Sequence, residues 1–435
     1  MPPTKTTKSY NFDFCCLEEV KTRQEKIHAW LRTYEGSKEL PLYSSVDIRD
    51  AGFKLAVVDT NIFPGGFNNV CEHGLADAVG LMRQAILKRV PKCEQILIVA
   101  EEHTRNTWYL ENIRILQQII EQAGFKTKIA TFLSIQPAFC ESAKAVELET
   151  ATGQTVKIHC FKRILENLEA DREDFDLIIM NNDLTTGIPE ILKNSKIPIY
   201  PSIQAGWHSR LKSHHFRHTQ DLIQEFAKIV ELDPWLFSCA YTVVDNVNVN
   251  EESDRKRLSE ATASILENVR KKYQEHKIIE KPFVFLKADS GTYGMGVFPV
   301  EDAKDILTMN RKARNNLYKG KGGQVISRFL VQEGVPTIYN IDEKVSEVVI
   351  YQIENNVIGG FYRTNTEKTS RENLNSQGMG FKKMCPHLKK YGECGIHHDL
   401  NIFDVYRILA RIAGIAAHRE IIQLEAQNKM LGEMP

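Results

Sequence analysis

At 435 residues the chain can hold two or three domains, and its 42% hydrophobic and 26% charged content is that of an ordinary globular protein. Lys+Arg and Asp+Glu balance at 56 each, which leaves no overall field for nucleic acid or an anionic membrane and points to small-molecule partners. The stretch MPPTKTTKSYNFDF lacks a signal-peptide core, no run nears the ~20 apolar residues that span a bilayer, and nine scattered cysteines suit reduced thiols, so a cytoplasmic location is expected.

A helical rhythm of Leu17, Val20, Ile27, Trp30 and Leu31 predicts a packing helix over 15–35. Two short strands follow, 45–49 and 54–59, turning at Ala51-Gly52. Pairing of these strands brings Asp47 beside Asp59 and Asn61, an all-oxygen set of the kind Mg²⁺ takes when substrate phosphates complete its shell. The same residues also suit a strand end before the Pro64-Gly65-Gly66 turn. A helix over 74–90, a buried strand over 95–100, a helix over 108–122 and a strand over 126–132 make a β-α-β unit and hence a parallel sheet. Arg105, in the loop at the first strand's carboxyl end, is a candidate for a substrate carboxylate or a solvated arginine. A hairpin over 146–158 and a strand over 175–180 continue the pattern, with Asn181 and Asn182 at the sheet's functional edge. After a strand over 196–200 comes GWHSRLKSHHFRHTQ, a basic and aromatic cluster that includes Arg210 and fits either an anion site or a solvated loop.

A long helix over 257–276 leads into FVFLKADSGTYGMGVFPV, which reads as strand, glycine-rich loop and strand. Lys287 offers a fixed positive charge there. Ser290, Gly291, Thr292, Tyr293, Gly294, Met295 and Gly296 offer hydroxyls and unobstructed main-chain N–H groups. This suits phosphate holding, although the glycines would serve a tight hairpin equally well. The strand over 324–333 halts at Gly334, and Gln332, Glu333, Gly334 and Val335 are placed for an adenine edge. Strands over 347–353 and 357–363 turn at Asn355-Asn356, and the loop RENLNSQGMGF contributes amides such as Asn373. Cys385, His387, Cys394, His397 and His398 have a zinc-capable composition but match no standard finger spacing. A helix over 403–424 closes the chain.

The glycine loop with its strand lysine, the VQEGV strand exit and the acid/acid/amide set resemble the working parts of the ATP-grasp ligases. In that superfamily the metal set stands last, so Asp47, Asp59 and Asn61 near the beginning imply a circularly permuted order. More closely, LPLYSSVDIRDAGFKLAVVDTNIFPGGFNN and FLKADSGTYGMGV resemble the uncommon proteobacterial glutamate-cysteine ligase family of the acidophilic iron-oxidiser type.

The resemblance implies a mixed α/β, ATP-grasp-like fold with a Rossmann-like parallel-sheet substrate domain. Its parts would be a helical segment over 1–35, a metal-bearing hairpin and helix over 36–92, the Rossmann-like domain over 93–205, the nucleotide-binding region over 206–400 and a helix over 401–435. It implies ATP-dependent joining of L-glutamate to L-cysteine through γ-glutamyl phosphate, with Mg²⁺ on Asp47, Asp59 and Asn61. Arg363 or Arg49 would stabilise transition-state charge, and Arg105, Asn181, Asn182, Arg210 and Asn373 would recognise the amino acids. A homo-oligomer is compatible with this reading. Another carboxylate-amine ligase and a non-catalytic nucleotide-binding protein remain alternatives.

Overall fold

The computed structural model describes residues 12–34, 36, 40–102, 105–132, 145–169, 174–291, 297–318, 325–385 and 400–432. It begins with α1 (Phe12–Thr22) and α2 (Gln24–Arg32), where the apolar rhythm predicts a single helix. The break falls at Arg23, with φ −109° and ψ 14°, whose guanidinium is drawn to Glu19 and, at 2.9 Å, to Glu231.

The hairpin β1 (Tyr43–Asp50) and β2 (Leu55–Asn61) follows. Gly52 makes its turn at φ +76°, a conformation that glycine adopts without Cβ strain, and donates its N–H to Asp50 Oδ1 at 2.8 Å. Strand alternation puts Val46 and Ile48 on one face and Asp47 and Arg49 on the other. Asp47 stands directly across from Asp59.

After α3 (Glu72–Arg89) the chain builds a sheet from β3 (Gln95–Ala100), α4 (Thr107–Gln122), β4 (Lys126–Thr131), β5 (Ala145–Glu149), β6 (Thr155–Cys160), α5 (Phe161–Glu169), β7 (Leu177–Asn181), α6 (Glu190–Lys193) and β8 (Ile199–Tyr200). The strand order is β5-β6-β4-β3-β7-β8, parallel except for β5. QILIVA, buried after its first residue, becomes the central β3, as a strand covered on both faces requires. Cys160 is disulfide-bonded, against the expectation of thiols throughout, whereas Cys71, Cys93, Cys239 and Cys385 are free and buried.

Helix α7 (Lys212–Val230) leads to an antiparallel sheet of β9 (Tyr241–Val244), α8 (Glu252–Glu275), β10 (Val284–Ala288), β11 (Phe298–Val300), α9 (Arg311–Tyr318) and β12 (Phe329–Glu333), in the order β11-β10-β12-β9. Strand β12 starts later than the sequence predicts. Residues 326–328 leave the ladder, and Arg328 turns its Nε to Asp289 Oδ2 at 2.6 Å.

The strands β13 (Tyr339–Ile341), β14 (Lys344–Ile353), β15 (Asn356–Asn365) and β16 (Met379–Met384) return to the first hairpin, giving the order β16-β15-β14-β1-β2 with β13 beside β14. The turn between β14 and β15 is Glu354-Asn355, one residue earlier than expected, with Glu354 at φ +49°. Pairing of β1 with β14, from Tyr43↔Ile353 to Ile48↔Val348, joins strands from distant parts of the chain. Helix α10 (Leu400–Gly432) lies against them.

This sheet is the middle layer. Val46, Ile48, Val348 and Ile350 share one core with Leu222 of α7, Leu258 of α8, Tyr406 of α10 and Leu286 and Val331 of the second antiparallel sheet. Tyr43, Val349 and Tyr351, on the opposite face, share another with Met82, Leu110 and the parallel sheet's Ile96 and Ile98. Among the described residues no helix is long and apolar enough to cross a membrane.

Helix α10 is also tied by charge. Glu420, 1% exposed, receives Arg210 Nε at 3.0 Å and Nη2 at 2.8 Å, and Arg210 also donates to the Thr60 carbonyl at 3.3 Å. Burial by itself would raise the Glu420 pKa, but Arg210 and His215 bring it down to about 2. A carboxyl depressed in the folded state stabilises it above the unfolded pKa and loses that contribution as pH falls through the folded one. Wild-type stability should therefore drop between about pH 4.5 and 2, by about 3 kcal/mol from this group. In Glu420→Gln, denaturant titrations across that range should lack this component; an unchanged pH profile would contradict the assignment.

Candidate active site

The three sheets converge on a cleft of about 350 Å³. The hairpin and β14 supply Asp47, Arg49, Asp59 and Glu347; β10 and the loop after it supply Lys287, Ser290 and Gly291; the segment after β7 adds Thr185 and Thr186. Lys212, the first residue of α7, reaches Asp59 Oδ1 at 3.3 Å and lies 4.2 Å from the centroid of the Trp207 ring. Two carboxylates on one sheet therefore face two lysines from other elements.

Charge sets the protonation of these groups. Burial would raise the Asp59 pKa, yet Lys212 and Lys287 hold it at about 2. Lys287 moves the other way: desolvation lowers it to about 8 against the pull of Asp59. Asp47 is raised, chiefly by burial and further by Glu347 and Asp59, with Arg363 opposing. Glu347 stays low because Arg49 and Arg363 outweigh its desolvation.

These last residues form a chain across three strands. Arg49 Nε lies 2.6 Å from Glu347 Oε2, and Arg363 Nη1 lies 2.6 Å from both Glu347 Oε1 and Asp47 Oδ2. Arg363 pairs with Glu347 across the β14–β15 ladder. Arg49 also donates to the Ser370 and Glu372 carbonyls, at 3.1 and 2.8 Å, which pins the loop that brings Asn373 and Asn375 to the cleft.

The glycine-rich loop joins β10 and β11 as the sequence predicts, with Val284 opposite Val300. Gly291 adopts φ +94°, with nothing within 4 Å of where a Cβ would sit. The remaining loop residues, Thr292, Tyr293, Gly294, Met295 and Gly296, lie outside the described residues. Asp289, fully buried, anchors the loop's start: it accepts from Ser213 N and Oγ at 2.7 Å each and from Arg328 Nε at 2.6 Å.

Other expected residues take different positions. Glu333 and Val335 line the cleft, whereas Gln332 and Gly334 do not. The Gly334 N–H is committed to the Phe283 carbonyl at 2.8 Å, and a Cβ there would lie 2.3 Å from the Phe283 ring. Asn61 is not among the cleft residues and accepts the Phe63 N–H at 2.9 Å, an Asx turn at the strand end. Arg105 is exposed away from the cleft. Asn181 is 1% exposed, donates to the Pro64 carbonyl at 2.9 Å and accepts from Asn112 at 3.3 Å. Asn182 spans the Ala100 carbonyl and the Leu184 N–H. Arg210 is spent on Glu420. Of the Cys/His group only Cys385 is described; His387, Cys394, His397 and His398 lie outside.

Sequence reasoning did not single out Glu347, Thr185, Thr186, Arg328 or Lys54. Glu347 is the fourth residue of β14 and lies directly across from Arg363, a signal visible only once the register is known. Lys212 stood in the basic cluster without being distinguished from its neighbours.

An oxygen-ligated cation fits part of this cleft. The Asp59 side chain is 41% exposed and, with Asp47 opposite, offers hard oxygen donors. Asn61 does not share that cleft.

Two antiparallel sheets of a mixed α/β fold close on one cleft, with lysines on one side and paired carboxylates on the other. The chain belongs to the glutamate-cysteine ligase family, whose sequence model matches residues 18–421, and it is a ligase enzyme. A crystal structure from Methylobacillus flagellatus KT, named provisionally as a gamma-glutamylcysteine synthetase, is 33% identical, covers 97% of this chain and 99% of its own, and superposes with a TM-score of 0.86. D-alanyl-alanine synthetase A from Vibrio cholerae O1 biovar eltor str. N16961 also matches, at 11% identity over 74% of this chain and 81% of its own. Its TM-score is 0.33. No curated protein sequence matches at a significant level.

Glu347 is the only carboxylate in contact with both Arg49 and Arg363 among the described residues. Replacing it with Gln leaves two buried guanidinium groups without that charge and should cost about 3–5 kcal/mol in denaturant-induced unfolding. A loss below about 1 kcal/mol would mean that Asp47 alone neutralises the pair.

Proposed function

We propose that this chain joins the γ-carboxylate of L-glutamate to the amine of L-cysteine with hydrolysis of ATP to ADP and phosphate, the first step of glutathione biosynthesis, in the cytoplasm. Family membership supports the substrates. The observation that carries the chemistry is Asp47 and Asp59 facing Lys287 and Lys212 across one cleft. The hairpin's pairing with β14 supports reading the chain order as circularly permuted.

A carboxylate is a poor acyl donor to an amine, so a glutamate γ-oxygen first attacks the γ-phosphorus of ATP, ADP leaves, and γ-glutamyl phosphate forms. The cysteine amine then attacks its carbonyl carbon and phosphate departs. Both steps rest mainly on positioning and charge neutralisation. Lys287, Ser290 and Gly291 hold the phosphates, helped by the 292–296 segment. Val58, Phe285 and Ile326 wall the base, and the main chain at Val335 meets its edge, the Glu333 N–H being given to the Ala240 carbonyl at 2.7 Å. Asp59 and Asp47 are the residues to hold Mg²⁺, which when bound neutralises phosphate charge. Lys212 balances Asp59 until the nucleotide arrives. Arg49 positions the Asn373 loop, while Arg363 holds Asp47 and Glu347 in register. Thr185, Thr186 and His208, on the rim supplied by the parallel-sheet side, are the polar groups for the amino acids.

Asp59→Asn should lower turnover at least about 100-fold, in the range for losing a charge-stabilising group, while circular dichroism stays native. Wild-type ADP release should require glutamate and cysteine together; release unaffected by omitting either would refute the substrate assignment. Because Lys287 in the free protein titrates at about 8, binding of the Mg-nucleotide should weaken as pH rises through that value. Lys287→Met should flatten that dependence, and a wild-type affinity constant from pH 7 to 9.5 would exclude Lys287 as the phosphate cation.

A further inference from the structure

Amide formation needs a proton acceptor. The α-amino group of the incoming amino acid titrates at about 8, so at neutral pH most of it is ammonium, with no lone pair for an acyl carbon. The carboxylates of the cleft are taken: Asp47 and Asp59 face the cation, and Glu347 is held between two arginines.

His208 has the chemistry that is missing. Its imidazole is exposed and lines the cleft with Thr185 and Thr186. Nδ1 lies 3.1 Å from the Leu184 carbonyl, which can only accept, so Nδ1 carries the hydrogen and Nε2 the lone pair. Nε2 has no hydrogen-bond partner among the described residues. Desolvation lowers the ring's pKa against the pull of that carbonyl, and no charged side chain enters the balance. The charged residues of the two neighbouring segments are engaged elsewhere, Asp183 with Thr185, Arg210 with Glu420 and Lys212 with Asp59. The ring is therefore neutral at pH 7 and can take a proton.

The backbone is shaped to hold it there. Leu184 adopts φ +51°, a left-handed conformation uncommon for leucine and of the kind that collects at functional sites, and its N–H is fixed by Asn182 Oδ1 at 3.0 Å. A Cβ at Gly206 would lie 2.7 Å from both His208 Nδ1 and Leu184 Cβ. Glycine thus lets the segment after β7 and the segment after β8 close together, and the Trp207 N–H fastens them by donating to the Asp183 carbonyl at 2.8 Å.

We propose, resting on the ligase reading above, that His208 is the general base that accepts a proton from the substrate ammonium through Nε2. The ammonium gives one proton to Nε2, and the freed lone pair forms the C–N bond at the acyl carbon. The C–O bond to phosphate breaks, and phosphate leaves with that electron pair and a second proton from the nitrogen. The imidazolium returns its proton to water, to which the ring is exposed.

Hydroxylamine separates this role from substrate positioning, because it is unprotonated at neutral pH and attacks the same acyl phosphate without a base. ADP release is measured with ATP, L-glutamate and either L-cysteine or hydroxylamine. In His208→Gln the ratio of cysteine to hydroxylamine turnover should fall at least about tenfold, general-base contributions being roughly 10²–10⁴-fold. The cysteine defect should shrink as pH rises past the ammonium's own value of about 8. His208→Asn, whose amide can still meet the Leu184 carbonyl, decides the matter if His208→Gln does not fold. A ratio within about threefold of wild type, which includes both rates falling together as lost positioning would make them, overturns the proposal. So does a cysteine defect undiminished at about pH 9.5. Wild-type protein inactive with glutamate and cysteine would instead refute the ligase reading itself.

Discussion

Lys54 is fully buried and cannot look to water for its charge. It meets Glu333 at 2.6 Å and lies 3.9 Å from the Trp235 ring centroid, while Glu333 also accepts Trp235 Nε1 at 3.0 Å and Ala240 N at 2.8 Å. Desolvation lowers the lysine's pKa and Glu333 opposes that. A buried ion pair adds little net stability over apolar packing, but breaking one is expensive, so it acts as a constraint on geometry. Here the constraint joins the turn of the first hairpin to the end of β12, the edge of one antiparallel sheet to the middle of the other. With that joint made, β2 runs past β10, and Lys287 lies within 3.4 Å of the Val58 carbonyl, beside Asp59. The cleft follows from the joint.

The charges around the cleft are organised by how well each is already paired. Glu347 is neutralised from both sides and Arg363 is held by two carboxylates, so these groups form a fixed frame. Asp59 and Lys287 are less encumbered: the first has a lysine at 3.3 Å and an exposed face, and the second has, among the described residues, a carbonyl at 3.4 Å as its hydrogen-bond acceptor. A ligand bringing both phosphate and a cation would find the least-paired anion and the least-paired cation adjacent. Such pre-organisation limits the rearrangement that binding must cost.

Much of this was readable because period-two alternation and pair register are local. The strand-loop-strand around Ser290 and Gly291 follows from apolar runs flanking glycines, and the Ala51-Gly52 turn announces the first hairpin, although Asp47 comes opposite Asp59 only through a register shift between Asp47 and Ile48. QILIVA announced a covered strand in the same way. What was not readable depends on partners distant in sequence. Asn181 and Asn182 occupy the expected edge of the parallel sheet, yet the Pro64 and Ala100 carbonyls claim their amides, leaving Thr185 and Thr186 to reach the cleft. Arg210 and Lys212 are two residues apart, and only the buried Glu420 decides that one supports the helix while the other faces Asp59. Lys54 was not singled out because its partner Glu333 lies on another sheet, far away in the sequence.

The same pairings explain why α10 belongs to the site's support although none of its described residues lines the cleft. At one end Tyr406 donates to Asp50 Oδ2 at 2.7 Å, where β1 finishes; fourteen residues on, about 21 Å along the helix, Glu420 holds the arginine that bonds the Thr60 carbonyl next to Asp59. The helix therefore grips the hairpin at the end of β1 and again beside Asp59 in β2. A hairpin alone is a weak platform for a charged site, since two strands are marginally stable by themselves. Pairing with β14 on one side and this double attachment on the other anchor the backbone that carries Asp47 and Asp59 to the core, so their separation is set by packing and not by whatever occupies the cleft.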